Sequence, residues 1–261
     1  MTQDERRIWL IKYLLSENKR YENVAIPKDC NEQFNLYRSL VNVRMPKPAS
    51  EEYLKIEDEF LKEEISKKGV TSLADIAPVE KDIYIWQGDI TTLECGAIVN
   101  AANSKLLGCF CPCHACIDNC IHTFSGIRLR LKCNELMKNR LFDEPTGKAK
   151  ITPAYNLPCK YVLHTVGPLV YGALTDEHKR LLASCYEECL KLADENNVES
   201  IAFCCISTGE FHFPNSKAAE IAVKTVKDYK AKTGSEIKII FNVFSSKNKV
   251  YYEQLLNKKS E

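Results

Sequence analysis

The chain has 261 residues and a mass of 29.7 kDa, and 45% of its residues are apolar while 27% are charged. That composition is typical of a globular protein and excludes a chain that is disordered throughout. The 36 basic and 35 acidic side chains leave a net charge of +1, so the basic surplus typical of nucleic-acid-binding proteins is missing.

The N-terminal sequence MTQDERRIWL lacks the apolar segment of a secretory signal, and no run of the chain approaches the length that spans a bilayer. The chain also carries 13 cysteines, but a disulfide framework belongs to small secreted domains. We therefore expect a cytoplasmic protein with reduced thiols and no membrane association.

Residues 1 to about 70 predict helices. Apolar residues recur at helical spacing within 8–15, 34–41 and 53–61, and Pro46 and Pro48 break the last two patterns apart. Glycine is almost absent from this segment. The sequence therefore predicts a helical N-terminal extension, which we place at residues 1–75.

From about residue 81 the pattern changes to short β-rich runs that are apolar on most positions: 82–87, 97–101, 160–166, 200–206 and 238–244. Such runs suit strands that are buried on both faces. Helical patterns occupy 175–193 and 214–230, and a Pro-Asn-Ser start can cap the second. This alternation predicts a three-layer α/β/α domain around a largely parallel sheet, at residues 76–261.

Ligands of such sheets bind outside the carboxyl ends of the strands, so the residues that follow each strand are candidates for a site. These segments are small, polar or rich in thiols, and we expect them to meet at one edge of the sheet. They are Gly88-Asp89-Ile90-Thr91, Ala102-Asn103, Ser207-Thr208-Gly209-Glu210-Phe211 and Ser245-Ser246.

Each of these segments also has an ordinary structural explanation. A glycine in Ser207-Thr208-Gly209 lets backbone N–H groups approach an anion, but small polar loops after strands are common. Asp89 could accept a hydrogen bond from the amino group of a base, or it could form a turn or cap a helix. Asn100 and Asn103 could anchor sugar hydroxyls, or they could satisfy the local backbone.

The segment from Gly108 to His122 holds five thiols and two imidazoles, and it is the strongest chemical signal in the sequence. Thiolate and imidazole are the ligands of tetrahedral Zn²⁺, and the spacing Cys-x-Cys-x-Cys-His-x-Cys lets one loop supply three or four of them. Incidental buried thiols, a redox pair or a nucleophilic cysteine explain so many sulfurs less well. Spacing alone does not choose the ligands, and His122 suits a satisfied core histidine on the following helix.

The other apolar-flanked cysteines are predicted to be small buried hydrophobes. They are Cys95, Cys133, Cys159, Cys185, Cys189, Cys204 and Cys205.

The motifs together resemble the macrodomain family, which binds ADP-ribose. The matching pieces, in the family order, are Gly88-Asp89-Ile90-Thr91, Val99-Asn100-Ala101-Ala102-Asn103, Leu106-Leu107-Gly108, Asp118-Asn119-Cys120-Ile121-His122, His164-Thr165-Val166-Gly167-Pro168 and Ser207-Thr208-Gly209. They cover about residues 82–250. The helical extension and the thiol loop resemble, more narrowly, the zinc-containing macrodomains of bacteria and fungi.

The resemblance implies a macrodomain with a mixed, largely parallel sheet, and it implies a role for each matching position. Asp89 and Ile90 would hold the adenine, on which Phe244 would pack. The diphosphate would lie on the backbone of Ser207, Thr208, Gly209, Glu210 and Phe211. Asn103 would hold the distal ribose, Asn119 is assigned to the same ligand, and Cys109, His114 and Cys116 would bind Zn²⁺.

The implied activity is a zinc-dependent hydrolase that removes mono-ADP-ribose from modified proteins by attack at the distal ribose, with Asp118 and Asn103 as catalytic residues. An ester to Asp or Glu is the expected linkage, and a lipoyl-carrier protein is the substrate that the resemblance suggests. The alternative is a reader that binds ADP-ribosylated partners without turnover, with a filled four-ligand zinc site to which Cys111 or Cys113 contributes. A metal-stabilised nucleic-acid module is a third class, which the neutral charge disfavours.

Two residues depart from the family pattern at the diphosphate loop. Glu210 stands where the family has an apolar residue, and a carboxylate there would repel phosphates unless it points to solvent. His212 replaces a small residue. The sequence therefore predicts weakened or pH-dependent affinity for ADP-ribose.

Overall fold

The computed structural model describes residues 1–138 and 140–257, and its N-terminal part consists of three helices. They are α1 (Gln3–Ser16), α2 (Cys30–Val43) and α3 (Glu51–Lys68). Each begins at a residue whose side chain accepts from a backbone N–H of the first turn: Thr2, Asp29 and Ser50. The helices that the periodicity predicts are therefore present, with both prolines in the gap between α2 and α3.

The three helices pack on one another and share a hydrophobic core with the rest of the chain. Tyr37 and Phe60 are fully buried and meet edge to face, with ring centroids 5.2 Å apart. Phe34 of α2 stacks on Phe124, 6.1 Å away, and so joins the extension to the domain that follows. The division at residue 75 stays a prediction, because one continuous core crosses it.

A seven-stranded sheet forms the centre of the domain. Its strands are β2 (Pro78–Glu80), β3 (Ile83–Gln87), β5 (Ala97–Ala101), β6 (Ala149–Pro153), β7 (Tyr161–Thr165), β8 (Ser200–Phe203) and β9 (Lys238–Val243), in the order β2-β3-β9-β8-β5-β7-β6. The two edge pairs, β2–β3 and β6–β7, are antiparallel and the other pairs are parallel. Two short strands outside this sheet, β1 (Thr71–Ser72) and β4 (Leu93–Glu94), pair in parallel.

Helices cover the sheet in two groups. One comprises α6 (Asp176–Glu195), α7 (Asn215–Thr233) and α8 (Ser246–Leu256), with α7 in contact with both α6 and α8. The other comprises α4 (Ile117–Ser125) and α5 (Ile127–Met137), with α2 and α3 packed on α4. Consecutive residues of the central strands, such as Ile98 and Val99, are fully buried, as expected when both faces are covered. The predicted three-layer α/β/α architecture with a mixed, largely parallel sheet is confirmed.

Some local expectations need correction. The strand predicted over 200–206 ends at Phe203, and the next residues turn into the loop of the site. The predicted cap of the helix at 214–230 is wrong, because Pro214 takes the cap position and no side chain there accepts a backbone hydrogen bond. Of the scattered cysteines, Cys95 and Cys205 are only half-buried, and the others are buried as predicted.

No helix of the described residues has the length and apolarity needed to cross a membrane.

One ionisable carboxyl is fully buried where the extension meets the domain. Glu57 of α3 accepts hydrogen bonds from the hydroxyls of Tyr37 (2.9 Å) and Tyr53 (3.1 Å) and from the N–H of Ile127 (3.0 Å), the first residue of α5. Burial raises the pKa of Glu57 from 4.5 to about 7, although the three hydrogen bonds oppose the shift. The position of α5 relative to the extension thus depends on one carboxyl group.

We expect Glu57 to make the free energy of unfolding depend on pH. The folded protein keeps this proton between pH 4.5 and 7, where the unfolded chain releases it, so the contribution is complete below pH 4.5 and lost as pH rises through 7. The shift corresponds to about 3 kcal/mol. Urea unfolding at pH 4.5 and pH 8 measures this contribution: between these pH values, the free energy of unfolding of wild type should fall by about 3 kcal/mol more than that of Glu57→Gln. Glu52→Gln, at an exposed position of the same helix, should follow wild type.

Candidate active site

The carboxyl ends of β3, β5, β8 and β9 open into one cleft of about 970 Å³. Four segments that follow strands in the sequence line it, namely Gly88–Ile90, Ala102–Asn103, Ser207–Phe211 and Phe244. The loop that carries the clustered cysteines closes another wall. Ser245, expected at the same edge, instead caps α8 by accepting from the N–H of Asn248.

Asp89 lies at one end of this cleft and is held in place from two sides. Its Oδ1 accepts from the N–H (3.0 Å) and the hydroxyl (2.7 Å) of Thr91, and its Oδ2 accepts from Nζ of Lys68 at 2.8 Å. Burial works against ionisation, but the hydrogen bonds from Lys68 and Thr91 prevail and lower the pKa of Asp89. Asp89 is therefore both a local cap and an ionised acceptor in the cleft, which the exposed ring of Phe244 also lines.

The loop after β8 presents backbone donors to the cleft. The N–H groups of Ser207, Gly209, Glu210 and Phe211 donate to no other described residue, and all four residues line the cleft. Ser207 has a left-handed backbone (φ 64°), whereas Gly209 does not, and a Cβ added at Gly209 would contact nothing. An array of free N–H groups of this kind is an anion-binding concavity.

Glu210, in the same loop, has a side chain that is largely exposed to solvent. Its exposed fraction is 71%, and its Oε1 lies 3.8 Å from Nε2 of His114 across the cleft. The repulsion that this carboxylate would exert on a bound anion is therefore reduced by solvent.

Asp118 is buried in the floor of the cleft, in the first turn of α4. Its Oδ1 accepts from Nδ2 of Asn100 at 2.8 Å and its Oδ2 from Nδ2 of Asn103 at 3.2 Å. Burial raises the pKa of Asp118 to about 6, while these two amides and the positive charge of Arg130 lower it. The two asparagines thus orient a carboxylate, and the Nδ2 of Asn103 also donates to the carbonyl of Gly108 at 3.1 Å.

Cys109, His114 and Cys116 come together next to Asp118. One ligand atom from each lies within 4.8 Å of the other two, and all three residues line the cleft. Burial, with the nearby Cys109 and Asp118, raises the pKa of Cys116 to about 12, so two thiolates would need a cation between them. The Nδ1 of His114 is buried without a hydrogen-bond partner among the described residues, which leaves it free to bind that cation.

The additional thiols of the loop face elsewhere. Cys111 is exposed, and Cys113, in a left-handed conformation (φ 52°), has its Sγ 3.2 Å from Oγ of Ser39 and 3.3 Å from the carbonyl of Asn35. In the described residues neither thiol joins the group formed by Cys109, His114 and Cys116.

Two further residues singled out in the sequence lie behind the cleft. Asn119 does not line it: its side chain is fully buried, and its Nδ2 donates to the carbonyl of Cys111 at 2.9 Å. His122 is buried on α4, as expected of a core histidine, but neither ring nitrogen has a hydrogen-bond partner among the described residues, and Nε2 is 3.5 Å from Oδ1 of Asp118.

Two residues that sequence reasoning missed come from the extension. Arg38 of α2 lines the cleft, and Lys68, the last residue of α3, binds Asp89 and lies over the ring of Phe124 at 3.5 Å from its centroid. No local pattern marks either residue, since their partners lie far away in the sequence.

Comparison with known proteins agrees with this fold and cleft. The sequence model of the Macro domain matches residues 99–222. The chain belongs to the macrodomain family.

Among its relatives, a "Protein-ADP-ribose hydrolase" of Treponema medium is 60% identical over 98% of this chain and 100% of its own length. A protein of the same name from Staphylococcus aureus is 46% identical over 96% of both chains. The crystal structure of a Trypanosoma brucei macrodomain in complex with ADP-ribose superposes with a TM-score of 0.65, at 27% identity over 84% of this chain and 95% of that one.

Proposed function

We propose that the protein is a zinc-dependent hydrolase that removes mono-ADP-ribose from modified proteins. The observation that carries the proposal is the arrangement in one cleft of an oriented carboxylate, Asp118, beside the group formed by Cys109, His114 and Cys116. The names of the Treponema and Staphylococcus relatives support the reaction class.

The remainder of the cleft suits the nucleotide part of such a substrate. Asp89 offers an ionised acceptor for the exocyclic amine of adenine, and the exposed ring of Phe244 can pack on the base. The free N–H groups of the loop at Ser207–Phe211 can hold the diphosphate without a formal positive charge. These remote contacts would supply the binding energy that positions the scissile bond.

The metal would be held by Cys109, His114 and Cys116, a donor set that Zn²⁺ prefers. Three protein ligands leave one position open, as in catalytic zinc sites. When bound, zinc supplies Lewis-acid polarisation and orientation of the ribose at this end of the cleft.

The reaction we propose is attack of water on C1 of the distal ribose. The bond from C1 to the oxygen of an Asp or Glu side chain breaks, and the products are ADP-ribose and the free carboxyl group of the substrate protein. Asp118 orients the water and accepts its proton in a transition state with oxocarbenium character. Asn103, hydrogen-bonded to Asp118, holds a hydroxyl of the ribose or the water in line.

The proposal is tested by measuring zinc content and the release of ADP-ribose from Asp/Glu-, Ser- and Arg-modified proteins by the purified wild type. We expect about one zinc ion per chain, and release from the Asp/Glu-modified protein. Tight binding of ADP-ribose without release from any of the three would contradict a hydrolase and indicate a reader.

A further inference from the structure

One face of α2 lies against the loop that carries Cys109, His114 and Cys116. We call residues 109–116 the metal loop, and it has no helix or regular strand of its own. Arg38, Ser39 and Asn42 contact it through their side chains, which lie on one side of the helix, and Asn35 contacts it through its backbone carbonyl.

Arg38 makes the closest contacts of this face. Its Nη2 donates to the carbonyl of His114 at 2.7 Å and to Oδ1 of Asn119 at 2.8 Å, and its Nε donates to the same oxygen at 3.2 Å. The guanidinium therefore binds the backbone of one candidate ligand directly, and it grips the Asn119 side chain with two donors.

Asn119 extends this contact to the first half of the metal loop. Its Nδ2 donates to the carbonyl of Cys111 at 2.9 Å and approaches that of Cys109 at 3.5 Å. Because Arg38 occupies its Oδ1, the amide can present Nδ2 only toward the loop. Arg38 thus holds the backbone of the metal loop at His114 directly, and at Cys111, two residues after Cys109, through Asn119.

The other residues of this face hold the thiol of Cys113 outside the group formed by Cys109, His114 and Cys116. Asn42 accepts at Oδ1 from the N–H of Cys113 (2.9 Å) and donates from Nδ2 to Thr123 of α4 (3.0 Å), while Ser39 contacts the Sγ of Cys113. Cys113 is a non-glycine residue in a left-handed conformation, and it keeps this conformation only because surrounding contacts hold it.

We propose that Arg38 is a positioning residue for the metal loop, so that the helical extension sets the spacing of the zinc ligands. This inference rests on the proposed metal site. Loss of a residue that orients metal ligands typically costs 10–100-fold in metal affinity, and Arg38 is the only extension residue among those described that bonds the backbone of a candidate ligand.

The test compares wild type, Arg38→Met, Arg38→Lys and the control Arg6→Met. Arg6 of α1 pairs with Glu59 and Glu63 inside the extension and does not line the cleft. Zinc affinity is measured by competition with a chromophoric chelator, the absorption spectrum of the Co²⁺-substituted protein reports ligand geometry, and circular dichroism reports the fold.

We expect Arg38→Met to bind zinc about 10–100-fold more weakly and to alter the Co²⁺ bands, while Arg6→Met follows wild type. Arg38→Lys keeps the charge without the planar fork, so it should fall between them, and it decides the case if Arg38→Met does not fold. An affinity for zinc within threefold of wild type, with an unchanged Co²⁺ spectrum, would overturn the inference.

These results separate the inference from the proposed function. A wild type that binds zinc without releasing ADP-ribose overturns the hydrolase, and the comparison of zinc affinities still decides the role of Arg38. A wild type that binds no zinc overturns both.

Discussion

If the proposed function is right, replacement of Cys116 by alanine should abolish zinc binding and lower kcat/KM for release of ADP-ribose by about 10³-fold or more, since a zinc ion held there would contribute several kcal/mol to stabilisation of the transition state. Cys116 also caps α4, where its Sγ accepts from the N–H of Asn119 at 3.4 Å. Alanine would therefore weaken the helix start as well, by about 1 kcal/mol.

Cys116→Ser separates these two effects. Serine is a preferred N-cap residue, so the helix should keep its start, but a neutral hydroxyl is a poor ligand for zinc. We expect Cys116→Ser to match the thermal stability of the zinc-free wild type and to be as inactive as the alanine variant. The control is Cys111→Ser, at an exposed thiol outside the cluster, which should keep metal and activity. Full activity in metal-free Cys116→Ser would contradict a catalytic role for zinc.

Asp118→Asn should lower kcat by about 10²–10⁴-fold while zinc content and affinity for ADP-ribose stay close to those of wild type. Asparagine has nearly the same shape but cannot take a proton from water, and its Nδ2 would face the amide donors of Asn100 or Asn103. Single-turnover release measures the chemical step, calorimetry measures binding, and metal analysis measures zinc.

The control for this variant is Asp176→Asn, at an exposed carboxylate in the first turn of α6, which should behave as wild type. An unchanged kcat in Asp118→Asn would contradict the proposed role of this carboxylate in orienting the water and accepting its proton. Together, the variants of Cys116 and Asp118 assign activity separately to the metal and to the carboxylate.

The sheet and its polar strand ends could be predicted because they depend on local patterns. The runs at 97–101 and 238–244 are apolar on consecutive positions, and such strands are buried on both faces wherever the chain places them. The antiparallel edges β2 and β6 escaped prediction, because they are short or carry few apolar residues. Helix α8 also escaped prediction, because its apolar stripe is weak and consists of Tyr252 and Leu256.

The site itself was predictable only in part. Resemblance pointed to Asp89, Asp118 and the loop after β8, and all of them line the cleft. The four similar thiols of the metal loop do not say which of them face inward, since that depends on contacts such as the one between Ser39 and Cys113 across more than seventy residues. The buried side chain of Asn119 accepts a hydrogen bond from Arg38, which lies 81 residues away, and no local pattern encodes this contact.

The two cations that reach from the extension to the cleft bear on how such a chain can evolve. Lys68 neutralises Asp89, and Arg38 binds the segment that carries the thiols. A gene that lost its first 75 codons would leave Asp89 without the Lys68 cation and the metal loop without Arg38. The extension and the cysteine-rich loop should therefore be inherited or lost together, and recombination between them should be selected against.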